Sequence, residues 1–117
     1  MNIVVSNNPK VKDYRDIAYY LKDQDYLDVL IKARDLIHQN YHLLTHPLSS
    51  NFLPDKTLYK TVVLKKESTF DLHSLDIIEN AIILSRNSLV HRDKRIFEAS
   101  ILEDLQYVDY EIIKNTL

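Results

Sequence analysis

The chain has 117 residues and not one glycine, although glycine makes up about 7% of an average protein. Glycine enters left-handed backbone at no steric cost, so here every such turn must fall to Asn, Asp or Ser, of which Asn is the most tolerant. A glycine-built phosphate loop or dinucleotide fingerprint is excluded outright. Cysteine is also absent, which removes thiol nucleophiles, thiolate metal ligands and disulfides. A chain without cysteine or an export signal is expected in a reducing cytoplasm.

The length suits one domain over residues 1–117, able to bury roughly two thirds of its unfolded surface around a single core. Its 45% hydrophobic and 27% charged content is that of a folding chain, not a disordered one. The formal charge of -2, from 15 Lys and Arg against 17 Asp and Glu, gives no field that would attract phosphate backbones or an anionic membrane. Neither nucleic acid nor membrane is an expected partner. The Met1–Val5 stretch is too short for a signal-peptide core, and no run approaches the ~18 apolar residues of a membrane span.

Hydrophobic periodicity divides the chain into eight elements. Asn2–Val5 reads as a buried strand, followed by the polar loop Ser6–Pro9 and a short helix with Asn8 as its cap and Pro9 in its first turn. Ile17–Leu21 is a second strand. Tyr26, Val29, Leu30, Ala33, Leu36 and Ile37 fall at helical spacing, with Asp25 as N-cap and Asn40 as a left-handed stop. Tyr41–His46 is expected as a third strand, Leu58–Lys65 as a fourth, and Asp71 to about Leu89 as a long helix. A last helix over Lys94–Asn115, with Asp93 as cap, carries Phe97, Ile101, Leu105, Val108 and Ile112 in one stripe. This order favours a small layered α/β sandwich with a mostly parallel four-stranded sheet and C-terminal helices.

Ligands in such sheets collect outside the carboxyl ends of the strands, which singles out the loops after the first and third strands. Ser6, Asn7 and Asn8 in one loop and Thr45, His46, Ser49 and Ser50 in the other, with Thr57 and Tyr59 nearby, make a candidate polar site. Its amides and hydroxyls would suit a small anionic ligand. The bland alternative is that these residues only cap helices and close turns. His38, His42 and His46 have the spacing of a helical metal site, but Pro47 and the strand-like Leu43-Leu44 argue against one shared face. Ser49 or Ser50 with His46 and Asp35 could be drawn as a nucleophile, base and orienter, yet no turn presents the serine. The basic run His91–Arg95 reads as a solvated turn, and no cofactor motif is legible. The last helix's stripe is core by default; any part left uncovered would suit a homodimer or another protein.

The strings SNNPKVK at Ser6–Lys12, VLIKARDLIHQNYHLLTHPLSSN at Val29–Asn51 and ILEDLQYVDYEIIKNTL at Ile101–Leu117 resemble the GrdX family over the length of the chain. The family pattern has a glycine between the two serines of the loop; here Ser49 and Ser50 are adjacent. The resemblance implies a small protein encoded beside glycine, sarcosine and betaine reductase systems of amino-acid-fermenting anaerobes, with no established activity. It therefore implies an accessory or interaction role with reductase-system proteins as partners. Without cysteine, the chain could not itself supply the thiol chemistry of such a system.

Overall fold

The computed structural model describes residues 2–14, 19–48, 57–90 and 94–116. They run β1 (Asn2–Ser6), α1 (Pro9–Tyr14), β2 (Tyr19–Tyr20), α2 (Tyr26–Ile37), β3 (Tyr41–Leu43), β4 (Thr61–Lys66), α3 (Leu72–Leu89), a 3-10 turn (Lys94–Phe97) and α4 (Ala99–Ile113). The sheet order is β2-β1-β4-β3.

The sheet is mixed, which corrects the expectation of a mostly parallel one. β1 and β2 run parallel, but β4 lies antiparallel to both β1 and β3. A parallel pair needs a crossover, usually helical, between its strands, as α1 supplies between β1 and β2. No described helix separates β3 from β4, and the chain returns in the opposite direction.

Alternation along the two central strands builds two cores. Val5, Val62 and Leu64 face one side, where Val29, Leu30, Ala33, Leu36 and Ile37 of α2 and Ile78, Ala81 and Ile82 of α3 bury against them. Val4 and Val63 face the other, meeting Val11 of α1 and Ile113 of α4. The result is helix, sheet and helix in three layers, with the larger core beneath α2 and α3. Each large aliphatic side chain buried there contributes about 1.5–3 kcal/mol. Arg34, 3.3 Å from Glu79, ties α2 to α3 at the surface.

The glycine-free turns are solved as the composition requires. The two described residues with positive φ are Asp23 (59°) and Asn40 (69°). Asn40 stops α2 as expected, and its carbonyl accepts from Glu67 N–H. Asp25 caps α2 with a reciprocal bond to Asp28, and Asp71 caps α3 through Ser74 N–H.

Three boundaries differ most from the periodicity. β3 ends at Leu43 because Thr45 Oγ1, not a backbone carbonyl, takes the Val63 N–H at 3.0 Å. β4 begins at Thr61 because Asn7 Oδ1 takes the Lys60 N–H at 2.9 Å. The C-terminal helix starts at Ala99, since Glu98 is extended with no side-chain cap bond; the expected cap Asp93 lies outside the described residues, as do Ile17 and Ala18. Among the described residues no helix is long and apolar enough to cross a membrane.

Candidate functional site

Ser6, Asn7 and Asn8 leave the end of β1 and are almost wholly buried. They belong to a polar lattice completed by Thr61 of β4 and Asp109 of α4. Asp109 Oδ1 accepts the Thr61 N–H at 3.1 Å, and Oδ2 accepts the Thr61 hydroxyl at 2.6 Å and the Asn8 amide at 3.0 Å. Thr61's proton is thereby assigned, so Ser6, 2.7 Å away, donates to Thr61 Oγ1 and accepts from Asn8 N–H at 2.9 Å. Asn8 also donates to Gln106 carbonyl and accepts from Lys10 N–H. The chain of hydroxyls ends on a carboxylate, as a proton relay would.

Burial, however, seals it. Ser6 and Thr61 are fully inaccessible, so neither hydroxyl can reach a substrate. Burial is the main influence on Asp109 and pushes its carboxyl above the usual range, while the bonds from Thr61 and Asn8 and the charge of Lys60 oppose it. Lys60 is buried too; burial lowers its ammonium pKa, with Asp109 acting the other way. Burial likewise raises the phenol of Tyr26, whose hydroxyl donates to Pro47 carbonyl at 2.8 Å.

Asn7 works as a clasp. Its amide N–H2 donates to the carbonyls of Gln24 (2.8 Å) and Leu58 (2.9 Å), and its oxygen accepts from Lys60. One side chain thus holds the approach to α2 against the approach to β4. Beside it opens a cavity of about 400 Å³ lined by Asn7, Pro9, Tyr20, Asp23, Gln24, Asp25, Leu58, Tyr59 and Phe97. Tyr59 is fixed there by Gln106 Nε2, which donates to its hydroxyl at 2.8 Å. Thr57 is buried and accepts from Tyr59 N–H.

The structure therefore brings together Ser6, Asn7, Asn8, Thr57 and Tyr59. It places Thr45 and His46 in a separate depression of about 180 Å³ lined also by Leu43, Leu44, Asp71, His73, Ser74 and Ile77. Ser49 and Ser50 lie outside the described residues. His46 is exposed and accepts from Leu48 N–H through Nδ1, so His46→Ala should change the unfolding free energy by no more than about 0.5 kcal/mol in urea titration. His38 sits at the end of α2, and His42 on β3 bonds Thr69 carbonyl through Nε2. Among the described residues no three His, Asp or Glu gather as a metal group.

Lys60, Thr61, Gln106 and Asp109 escaped the sequence reading. The available signal was Asp109 itself, four residues from both Leu105 and Ile113, which puts a carboxylate on the helix's inward face. α4 in fact buries Leu105, Asp109 and Ile113, and the stripe's other residues are rotated away from that line. Ile101 and Val108 are half-covered, while Phe97 is 53% and Ile112 38% exposed.

A family model described as GrdX-like protein matches residues 3–117, so the chain belongs to that family. No curated protein and no solved structure matches it.

Proposed function

We propose that this GrdX-like chain is a non-catalytic accessory protein of glycine, sarcosine and betaine reductive metabolism, acting in the cytoplasm by docking onto a reductase-system protein. One observation carries the reading: among the described residues the linked hydroxyls, amides and carboxylate of the lattice are sealed inside, while an apolar flank of the last helix is only partly covered. Ser6, Asn8, Thr61 and Asp109 spend their polar atoms on one another. Ile101, Val108 and Ile112 form a line along α4 that the sheet covers only in part. Apolar surface at helical spacing is what a partner's groove or helix buries.

The test is co-purification with each isolated subunit of the reductase system. The wild type should be retained by one subunit, Val108→Asp should lose at least tenfold in affinity, as expected for a charge placed at a buried contact, and Ile112→Asp, at an exposed position, should lose affinity while melting like the wild type. Leu72→Asp, on the exposed side of α3, should bind normally. Retention by no subunit, or a Val108→Asp protein that binds as well as the wild type, would sink the proposal. A homodimer through α4 with no subunit bound would overturn it in favour of self-association.

The second reading, a small-metabolite site at the loops after β1 and before β4, has the 400 Å³ cavity in its favour. Its lining does not favour an anion, because Asp23 and Asp25 both face it.

A further inference from the structure

We propose that the cavity beside Asn7 binds an organic ammonium ion, held by the ring faces of Tyr59 and Phe97 and by the Asp23 carboxylate. Its volume of about 400 Å³ falls in the range of small-ligand sites. Among its described lining residues three are aromatic and two are aspartates, and none is Lys, Arg or His. An aromatic ring attracts a cation over its face within about 6 Å, and rings grouped around one space recognise alkylated ammonium groups in this way.

The fold already uses the same attraction elsewhere. Lys32 Nζ lies 4.1 Å from the Tyr19 ring centre, Lys66 4.9 Å from Tyr41, and Lys12 5.1 Å from Tyr20. Lys12 thus already lies over the Tyr20 ring, from outside the described lining, so Tyr59, Phe97 and the aspartates carry the attraction for a second cation. Asp25 directs Oδ1 to Tyr26 N–H at 2.6 Å, and its charge is set against the partial positive end of α2. Asp23, held in the left-handed turn just before it, adds a further negative charge. Gln106 fixes the Tyr59 ring, so that wall is preformed. Phe97 leaves 53% of its surface in water, and a ligand over the cavity would cover it.

The experiment is an NMR titration of the isotopically labelled protein with tetramethylammonium chloride, with sodium chloride at equal ionic strength and sodium phosphate in parallel. Saturable shifts are expected at residues 20–25, 58–59 and 97 with tetramethylammonium alone. Phe97→Ala should weaken binding about two- to thirtyfold and Asp23→Asn about fivefold. Both side chains are exposed, and asparagine accepts the left-handed backbone at position 23, so both variants keep the fold. No saturable shift with tetramethylammonium, saturation by phosphate at the same residues, or unchanged affinity in both variants would overturn the assignment. None of these outcomes bears on subunit docking through Val108, which is read by co-purification.

Discussion

Asp109→Ala should lower the unfolding free energy by about 3–5 kcal/mol, because it strands three buried donors at once. The Thr61 N–H, the Thr61 hydroxyl and one Asn8 N–H lose their acceptor, and Lys60 loses its nearby carboxylate. Domains of this size have about 5–15 kcal/mol in total, so urea denaturation should show a greatly lowered midpoint. Asp109→Asn should cost less, since one oxygen still serves Thr61. If Asp109→Ala cost under 1 kcal/mol, the lattice would not be holding α4 to the sheet.

The pH dependence follows from the same burial. Asp109's folded pKa is raised, so its contribution is full below its unfolded value and is lost as pH rises through the folded one. Lys60 is the reverse: its folded pKa is lowered, so the penalty it imposes disappears as pH climbs through that value toward the unfolded one. Lys60→Met relieves a buried cation when Asp109 is neutral and removes a compensating charge when Asp109 is ionised. Its effect on stability should therefore become more destabilising as pH rises through the raised folded pKa of Asp109, and urea midpoints over a pH series will show the trend.

Asn7→Ala should cost about 2–4 kcal/mol, as it leaves the Gln24 and Leu58 carbonyls and the Lys60 N–H without their partner, each stranded group costing about 1–3 kcal/mol unless water reaches it. The variant should also lose the cavity's shape, because Asn7 holds two of its walls together. Calorimetric melting distinguishes this from a ligand-binding role: a drop of less than about 1 kcal/mol would mean the amide is not a brace. The contrast with His46→Ala, nearly neutral, separates two residues that look alike as candidates in the sequence.

Where a rule acts locally, the sequence was readable. Asp25 and Asn40 occupy the cap and stop positions that their residue types predict, and the faces of α2 follow from Val29, Leu30, Ala33, Leu36 and Ile37. Strand direction was less accessible, since it depends on what separates the strands: β4 slots between β1 and β3 because the chain doubles back, not because Thr61–Lys66 differs from a parallel strand. The strand ends were hidden for a related reason. Side-chain acceptors on Thr45 and Asn7 take N–H groups of residues 18 and 53 positions away, and no local pattern encodes that. The polar loop after β1 was found, but its direction was not. Ser6, Asn7 and Asn8 point into a lattice closed by Asp109 about a hundred residues later, so residues suited to holding a ligand hold the protein instead.

Surface docking in place of buried chemistry is tested most directly by mapping chemical shifts on the labelled protein as each purified reductase subunit is added. The account predicts that one subunit perturbs Ile101, Val108 and Ile112 along α4 while Ser6, Asn8 and Thr61 stay unchanged. Silence with every subunit, or shifts confined to Thr45, His46 and their neighbours, would contradict it.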